Sequence, residues 1–452
     1  MEIIYSSMAK VVRNRIEKSF ITTISSVSHE GKGISYQNDK TIFIDNALLN
    51  EEVEYKIVKK KKNLAFAKSL NIIKPSTQRI EAKCDVYGIC GGCSMQHFEE
   101  GAQLAYKQRA FEEALEHVGN VMPEMISRPI SGPLWHYRHK ARLRVKFVLK
   151  KNKVLIGFNE KMSHFLTNMT ACPVLPKKIS DLIEPLQDLF FKLSIRDQIP
   201  QIEYASNQIR HILVIRILAS LTQDDENILK SFQELNGIEF WSQTKGYDTV
   251  KPLFDKTINQ ITYENKEFHL KFLFHPTGFT QINPFINQIL IRKVMALLRP
   301  LKEDVIFDLF SGVGNFTLPI ATSGATVLAI EGDEMLVHSG NSNAIENNLS
   351  ENVTFKTVDL FNIEKEELLS LGKATKWLID PPRVGAFNLI NLIDDEIKPK
   401  LIIYISCNPA TLARDADILV NEKKYIFKEG GIVNMFPHTS HIESIAVFEV
   451  NE

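Results

Sequence analysis

The stretch Asp304-Val-Ile-Phe-Asp308-Leu-Phe-Ser-Gly312-Val-Gly314-Asn-Phe-Thr317 combines a short apolar strand with a glycine-rich turn that opens a helix. Further apolar strands follow and alternate with helical stretches. Such alternation is typical of a parallel sheet with helices on both faces. We therefore predict an α/β, Rossmann-like domain over residues 276–452, with strands at Val305–Phe310, Thr326–Ile330, Val353–Val358, Trp377–Ile379 and Leu401–Ile405.

The glycine-rich turn predicts a ligand site, because glycines at the first strand-to-helix turn let a ligand approach the backbone. A dinucleotide fingerprint needs a third glycine where Thr317 stands, so the sequence departs from it. Asp308, Gly312 and Gly314 instead fit the D-x-x-x-G-x-G loop with which class I methyltransferases bind S-adenosylmethionine (SAM). Glu331, at the end of the next strand, can accept hydrogen bonds from ribose hydroxyls. The alternative is a tight turn that serves packing alone.

Two later strands of this sheet end in reactive side chains, Asp380 in Asp-Pro-Pro-Arg and Cys407 in Ser-Cys-Asn-Pro. A lone cysteine is most simply a small packing residue. A polar turn and a following helix N-terminus, which lowers a thiol pKa, favour a nucleophile instead. A thiolate that adds to C6 of a pyrimidine makes C5 nucleophilic towards a methyl donor. The C5 proton then needs a base, for which Glu443 is the candidate and His438 and His441 are rivals.

The other four of the five cysteines are spaced as ligands of a metal centre. They are Cys84, Cys90 and Cys93, in Cys-x5-Cys-Gly-Gly-Cys, and the later Cys172. Four thiolates hold a tetrahedral zinc ion or a [4Fe–4S] cluster, and the x5/x2 spacing departs from paired zinc knuckles. The spacing favours the cluster and leaves zinc and unligated thiols as alternatives. Few cysteines and no secretory signal indicate a cytoplasmic protein with reduced thiols.

The N-terminal part predicts a small β-barrel within residues 15–76, with strands at Thr41–Ile44, Val53–Ile57 and Leu64–Ala67. Lys59–Lys62 should form a hairpin tip, and Lys74–Thr77 reads as a linker. Residues 77–275 form a central, mostly β domain, in which 99–118 is helical and 136–160 and 201–275 read mostly as strands.

Charge is unevenly spread although Lys+Arg and Asp+Glu both number 54, which excludes a uniformly basic nucleic-acid coat. Residues 1–80 hold 14 basic and 8 acidic residues, and residues 128–161 hold ten basic residues and one acid. Solvated surfaces are the plain interpretation of such runs. The second run also interleaves aromatic residues with cations, as RNA-binding surfaces do; it contains Trp135, His136, Tyr137, Arg138, Lys140, Arg142 and Arg144. No uncharged apolar run is long enough for a membrane span.

Several motifs, taken together, identify a family. They are Cys84-x5-Cys90-Gly-Gly-Cys93 with Gln96-His97, Cys172-Pro-Val-Leu, Asp308-Leu-Phe-Ser-Gly-Val-Gly-Asn-Phe, Ser406-Cys407-Asn-Pro-Ala-Thr-Leu-Ala-Arg-Asp and the terminal Glu443. The chain resembles the RNA 5-methyluridine methyltransferases over nearly its whole length. The branch with both a cluster and an N-terminal barrel methylates 23S rRNA, which implies uridine 1939 as substrate. One departure is Asp380-Pro-Pro-Arg, where this branch often has Asp-Pro-Ala-Arg.

The resemblance implies a role for each site residue. Cys407 would be the nucleophile, Glu443 the C5 base, and Asp380 would line the cofactor and uracil sites. The three cysteines of the Cys-x5-Cys-Gly-Gly-Cys segment would bind a [4Fe–4S] cluster together with Cys172. SAM would be bound by Gln281, Asp308, Phe310, Gly312, Asn315, Glu331, Asp359 and Asp380.

The resemblance also implies an accessory architecture. The barrel would be an OB-like TRAM domain that binds RNA, and segment 94–128 would pack on the catalytic domain. A flipped uridine in rRNA would be the partner, with a monomer and no obligate protein partner. Met8 is a candidate start, because the residues before it have no counterpart in the family.

Three other functions stay open on the sequence. The enzyme could act on another rRNA uridine or on tRNA, or the chain could be a non-catalytic RNA-binding assembly factor that has kept the fold. A radical SAM enzyme is disfavoured, because its cysteines are typically spaced C-x3-C-x2-C and leave one iron open.

Overall fold

The structure, a computed structural model, describes residues 18–37, 39–255 and 261–451. The chain forms two compact units, the first ending at Arg79 and the second beginning at Ile80. Met8, the candidate start, lies outside the described residues. In the described ranges, no helix has the length and apolar character needed to cross a membrane. The division into domains 15–76, 77–275 and 276–452 stays a prediction.

The first unit is built from strands β1 Phe20–Thr23, β2 Ser26–Val27, β3 Gly33–Gln37, β4 Lys40–Asp45, β5 Glu52–Lys60 and β6 Leu64–Lys74. They form one six-stranded sheet in the order β1-β5-β6-β4-β3-β2. Side chains alternate between its two faces, so that Ile42 and Ile44 are buried while Phe43 between them is half-exposed. The Lys61 N–H donates to the Leu64 carbonyl (2.8 Å), which places Lys61 and Lys62 on the hairpin tip as predicted, whereas Lys59 and Lys60 end β5.

The boundary of the first unit falls later than the linker expected at Lys74–Thr77. The Glu51 carboxylate is fully buried and accepts from Ser76 N–H (3.1 Å) and from the Arg79 guanidinium (2.7 Å). A buried carboxylate must be paired. The chain therefore stays bound to the first unit through Arg79, two residues beyond the linker that the sequence predicts.

The second unit starts with the irregular cysteine segment, followed by helix α1 Glu100–His117 and strand β7 Met125–Ile126. The Glu99 side chain caps α1 by accepting from Ala102 N–H (3.0 Å). Phe111 and Leu115 on one face of α1 are fully buried. This helix matches the one predicted over 99–118.

A second six-stranded sheet follows, in the order β13-β12-β11-β10-β8-β9. Its strands are β8 Lys140–Val148, β9 Lys153–Gly157, β10 Gln201–Ser206, β11 His211–Arg216, β12 Glu239–Gln243 and β13 Lys251–Pro252, with helices α2 Lys177–Ser180, α3 Ile183–Lys192 and α4 Gln223–Asn236. The prediction of mostly strands over 201–275 is wrong at α4. Thr222 and Asp225 form a capping box there and Gly237 ends the helix in the left-handed conformation, both readable signals.

A hairpin of β14 Ile261–Asn265 and β15 Leu270–Phe274 leads to α5 Pro284–Leu298. The remaining elements are β16 Val305–Leu309, α6 Thr317–Ala321, β17 Thr326–Glu331, α7 Glu334–Glu346, β18 Val353–Thr357, α8 Lys365–Ser370, β19 Lys376–Ile379, α9 Phe387–Asn391, β20 Leu401–Ser406, α10 Pro409–Asp417, β21 Tyr425–Val433 and β22 Glu443–Val450.

These strands form an eight-stranded sheet in the order β18-β17-β16-β19-β20-β22-β21-β7. Strands β16 to β20 run parallel, whereas β22 is antiparallel to β20. Residues of β16 alternate between two apolar cores: Ile306 faces one and Phe307 the other. The α/β prediction and its five parallel strands are thereby confirmed.

Two features place the site on this sheet. The strand order reverses between β16 and β19, and open α/β sheets bind ligands at the carboxyl ends of the strands at such a switch point. Segment 94–128 also packs with this sheet. Its strand β7 pairs with β21, and its helix α1 packs on α10.

Candidate active site

The loop after β16 adopts a backbone that suits close approach of a ligand. Phe310, Gly312 and Gly314 have φ of 66°, 57° and 93°, in the left-handed region that disfavours side chains. A Cβ added at Gly312 would meet no heavy atom within 4 Å, so the loop faces open space on that side. A strained Phe310 at the end of a buried strand is typical of functional loops.

Two acids support this loop in different ways. Glu331 accepts from the N–H groups of Gly312 (2.9 Å) and Gly332 (2.8 Å) at the end of β17. Asp308 is fully buried and accepts from the Thr317 hydroxyl (2.5 Å), and burial raises its pKa to about 7. Its other oxygen has no partner among the described residues. Thr317, which breaks the dinucleotide fingerprint, is thus the residue that holds Asp308.

The other predicted SAM residues have these surroundings. The ring of Phe310 lies 5.3 Å from that of Phe361, and Asn315 exchanges amide hydrogen bonds with Asn287 (2.9 and 3.0 Å). Asp359 is exposed after β18, where hydrogen bonds from Asn362 and the Phe361 N–H lower its pKa. Gln281 is partly exposed, just before α5.

The reactive residues come together from three neighbouring strands. Asp380 follows β19 and Cys407 follows β20. Ser406 on β20 pairs with Ser444 on β22, so the antiparallel register puts Glu443 beside Cys407. The two loops are joined, since the Asn408 amide donates to the Arg383 carbonyl (3.0 Å).

The electrostatics of this edge are set by burial and like charges. Burial and then the charge of Asp380 raise the pKa of Glu443 to about 8, and burial and then Asp308 raise that of Asp380 to about 7. Burial, followed by the Glu443 and Asp380 charges, raises the pKa of Cys407 to about 11, against the lowering effect of Arg383. The expectation that the helix N-terminus would leave Cys407 with a lowered pKa is therefore wrong for the protein without bound ligands.

Arg383 is a site residue to which the sequence motifs gave no role. Its guanidinium contacts Nδ1 of His441 (2.8 Å), and its charge lowers the pKa values of Cys407 and Glu443. The position of Arg383 directly after Asp380-Pro-Pro was the available signal.

The two histidine rivals differ from Glu443 in their surroundings. His438 is 1% exposed and stacks on Trp135 with ring centroids 3.8 Å apart, and burial lowers its pKa to about 4. Burial and the Arg383 charge lower the pKa of His441. Neither imidazole is charged at neutral pH in these surroundings, and His438 is committed to packing.

The four remaining cysteines line one cavity of about 110 Å³, together with apolar side chains such as Phe158 and Met169. Burial raises the pKa of Cys93 to about 11 and that of Cys172 to about 12, and neighbouring thiols add to both effects. In the part of the chain that the structure describes, no group of three or more His, Cys, Asp or Glu is arranged to hold a single metal ion.

The basic stretch 128–161 is less open than its sequence suggests. Tyr137 is 1% exposed and donates to the Pro437 carbonyl (2.9 Å), and Trp135 is stacked on His438. Arg142 pairs with Glu203 (2.6 Å) on the neighbouring strand β10. The expectation that these two aromatic residues stack on RNA bases does not fit Tyr137, because its ring is buried.

A sheet with this switch point, a left-handed glycine loop, and acids at the ends of β16 and β17 defines a class I, SAM-dependent methyltransferase fold. The family model described as tRNA (Uracil-5-)-methyltransferase matches residues 99–450. The chain belongs to the RNA uracil-5-methyltransferase family.

Relatives and a solved structure agree with this assignment. The chain is 44% identical over 434 residues to the 23S rRNA (uracil(1939)-C(5))-methyltransferase RlmD of Chromobacterium violaceum, covering 95% of this chain and 84% of that one. It is 45% identical to the RlmD of Dechloromonas aromatica, covering 95% and 99%. The Pyrococcus abyssi tRNA (uracil-54, C5)-methyltransferase, solved with S-adenosyl-L-homocysteine, shares the fold at 22% identity, with a TM-score of 0.73 over 95% of this chain and 100% of that one.

Proposed function

We propose that the protein methylates C5 of a uridine in 23S rRNA, uridine 1939, with SAM as methyl donor. The observation that carries the proposal is the convergence of Cys407, Glu443 and Asp380 at one edge of a methyltransferase sheet. Relatives that bear the 23S rRNA name are 44% and 45% identical to this chain over 95% of its length, which favours rRNA over tRNA. Action on ribosomal RNA implies a cytoplasmic protein.

The reaction uses the side chains of this edge in sequence. A uridine inside folded RNA must first leave its stack to reach the site. The Cys407 thiolate adds to C6, forming an Sγ–C6 bond and moving electron density to C5. After C5 has taken the methyl group, the Glu443 carboxylate removes the C5 proton. The Sγ–C6 bond then breaks, which restores the pyrimidine double bond and the thiolate.

SAM, when bound, supplies an electrophilic methyl group. The residues at the β16 edge fit this cofactor, because the loop at Gly312 faces open space and Asp308 keeps one buried oxygen without a partner among the described residues. Glu331 would bind the ribose hydroxyls, and Asp380 would line both the cofactor and uracil sites. The other ligands in this proposal are Gln281, Phe310, Asn315 and Asp359.

The cysteine cavity is proposed to hold a [4Fe–4S] cluster. Four thiols that surround one cavity are the donor set of such a cluster. The Cys-x5-Cys-Gly-Gly-Cys spacing, which departs from paired zinc knuckles, favours the cluster over zinc. Methyl transfer to an activated C5 needs no electron, so the cluster would stabilise structure.

The first unit is proposed to be a TRAM-like RNA-binding module. Its support is a β-sheet unit with lysines on the β5–β6 hairpin and the basic surplus of residues 1–80. Phosphate contacts from such lysines would hold rRNA without reading its sequence. A monomer without an obligate protein partner completes the proposal.

The decisive experiment transfers a labelled methyl group from SAM to unmodified 23S rRNA and to unmodified tRNA, then maps the labelled base. The proposal expects label at C5 of uridine 1939 alone. Label on tRNA would keep the chemistry and overturn the substrate. No label on naked 23S rRNA or on ribosomal particles, from protein with filled cysteine sites, would support a binding factor instead.

A further inference from the structure

The loop between β21 and β22, Asn434–Ile442, leads directly into Glu443; we name it the base loop. It has no regular structure, yet Asn434, Met435 and His438 are each 1% exposed. His438 sits at φ 63°, in the left-handed region. An irregular buried loop needs partners for its backbone groups, and most of the partners here belong to distant segments.

Helix α1 supplies the first set of partners. Gln103 and Lys107 are one turn apart and thus share a face. The Gln103 carbonyl oxygen accepts from His438 N–H (3.0 Å), and its amide lies 3.2 Å from Nδ1 of the same histidine. The Lys107 ammonium donates to the Asn434 side chain (2.8 Å) and to the Phe436 carbonyl (2.9 Å).

The cysteine segment supplies the second set. The N–H groups of Ser94 and Met95, directly after Cys93, donate to the His438 carbonyl (2.9 and 3.0 Å). The Ser94 hydroxyl accepts from Ser440 N–H (3.0 Å). The base loop is therefore held from one side by α1 and from another by the segment that lines the cysteine cavity.

Lys107 is the partner whose burial costs the most free energy. Its side chain is 1% exposed and, among the described residues, its hydrogen-bond acceptors are an amide and a carbonyl, with no carboxylate. Burying an amine without a counter-charge is unfavourable, and an apolar side chain of the same length would avoid that cost. A buried lysine whose hydrogen bonds, within the described part of the chain, all go to this loop points to a role in the loop's geometry.

We propose that Gln103 and Lys107 are positioning residues for the reaction: they hold the base loop so that Glu443 reaches the C5 proton. The inference rests on the proposed function, and extends it from the reacting groups to α1. It explains why a helix that precedes the second sheet in the sequence lies on the catalytic sheet. The half-reaction that depends on this geometry is proton removal, after Cys407 has already bonded to the base.

The test uses full-length Lys107→Met and Gln103→Leu, with Glu443→Gln as reference and Phe111→Leu as control. Phe111 lies on the same helix and packs into the apolar core, so its variant weakens α1 without removing a hydrogen bond to the base loop. The measurement is the denaturation-stable, methylated Cys407–RNA adduct, with RNA affinity and kcat recorded alongside. A second readout is hydrogen exchange of the amides of residues 434–442.

We expect the Lys107 and Gln103 variants to keep RNA affinity, lose about 10- to 100-fold in kcat and accumulate adduct as Glu443→Gln does. Amide exchange in the base loop should rise in both, and not in Phe111→Leu. Wild-type kcat, or a loss of kcat without adduct and with unchanged loop exchange, would overturn the inference. Glu443→Gln without any adduct would instead overturn the proposed function, while loop exchange still decides whether the two residues hold the loop.

Discussion

Cys407 and the four-cysteine cavity show two ways in which one unit uses thiols. Cys407 ends a parallel strand and faces two carboxylates and one guanidinium. The cavity thiols come from an irregular segment and from Cys172, and face one another and apolar side chains such as Phe158. Burial raises the thiol pKa in both places, so burial alone does not separate a nucleophile from a ligand. The neighbours do: two carboxylates lie beside Cys407, whereas other thiols lie beside the cavity cysteines.

The largest effect on activity is expected from a substitution of Cys407 itself. Cys407→Ala should abolish methyl transfer, by about 10⁴-fold or more, because no other nucleophile forms the bond to C6. SAM binding, measured by calorimetry, should stay unchanged, since Cys407 is not among the proposed cofactor ligands. An RNA adduct that still forms in this variant would show that another residue attacks the base.

The next largest effect is expected from a substitution of a cavity cysteine. Cys172→Ser should lose bound iron and lower Tm by about 5 °C or more, because a metal centre contributes folding free energy. The measurements are iron content, visible absorption and thermal unfolding of protein purified without oxygen. Cys407→Ser is the matched control and should keep iron and Tm. Wild-type protein that carries zinc and no iron would replace the cluster with the zinc alternative.

How well the sequence predicts each thiol site follows from how local its signal is. Cys407 and Asp380 end apolar strands that periodicity reveals, so their shared sheet edge could be predicted. The cavity joins segments far apart in the chain, so Cys172 was linked to the other three by cysteine count and family resemblance, and not by a local pattern. The shift in the pKa of Cys407 was predicted in the wrong direction, because the burial of this thiol and its closeness to Glu443 depend on tertiary packing.

Two other residues mark the same limit. α4 was missed although Thr222 caps it visibly, because the apolar strands around it dominated the pattern. Lys107 was not predicted as a site residue, since a lysine on a helix is normally solvated. Its burial depends on where α1 docks, which no local pattern contains.

A smaller effect tests how much the burial of a carboxylate beside Cys407 lowers the free energy of unfolding. The folded pKa of Glu443, about 8, lies above its ordinary value of 4.5, so folding takes up a proton there. The stability penalty is absent below the unfolded pKa, grows as pH rises, and is complete above the folded pKa. Glu443→Gln should therefore stabilise the protein by roughly 4 kcal/mol at about pH 8.5 and little at about pH 5. Denaturant unfolding at both pH values measures this, and equal effects at the two would contradict the buried, protonated carboxyl.

The smallest effect concerns the arginine beside each kind of thiol, Arg383 near Cys407 and Arg138 near Cys93. Arg383 lowers the pKa of Cys407, and Arg138 lowers that of Cys93. Arg383→Met should raise the pKa of Cys407 and move the pH profile of kcat to higher pH. If the thiol pKa rises by about one, the thiolate fraction, and with it kcat at neutral pH, falls about tenfold. Arg383→Lys, which keeps the charge, should move the profile less.

Arg138→Met is the matched control for the cavity side. It removes a cation that faces Cys93, and is not among the charges that act on Cys407. Its kcat profile should therefore keep the wild-type pH dependence, even if RNA binds more weakly. Equal displacement of the profile in the Arg383 and Arg138 variants would mean that the general positive field of the unit controls Cys407. A displacement confined to Arg383 would mean that one guanidinium beside the nucleophile does, and that the two thiol sites are electrostatically separate.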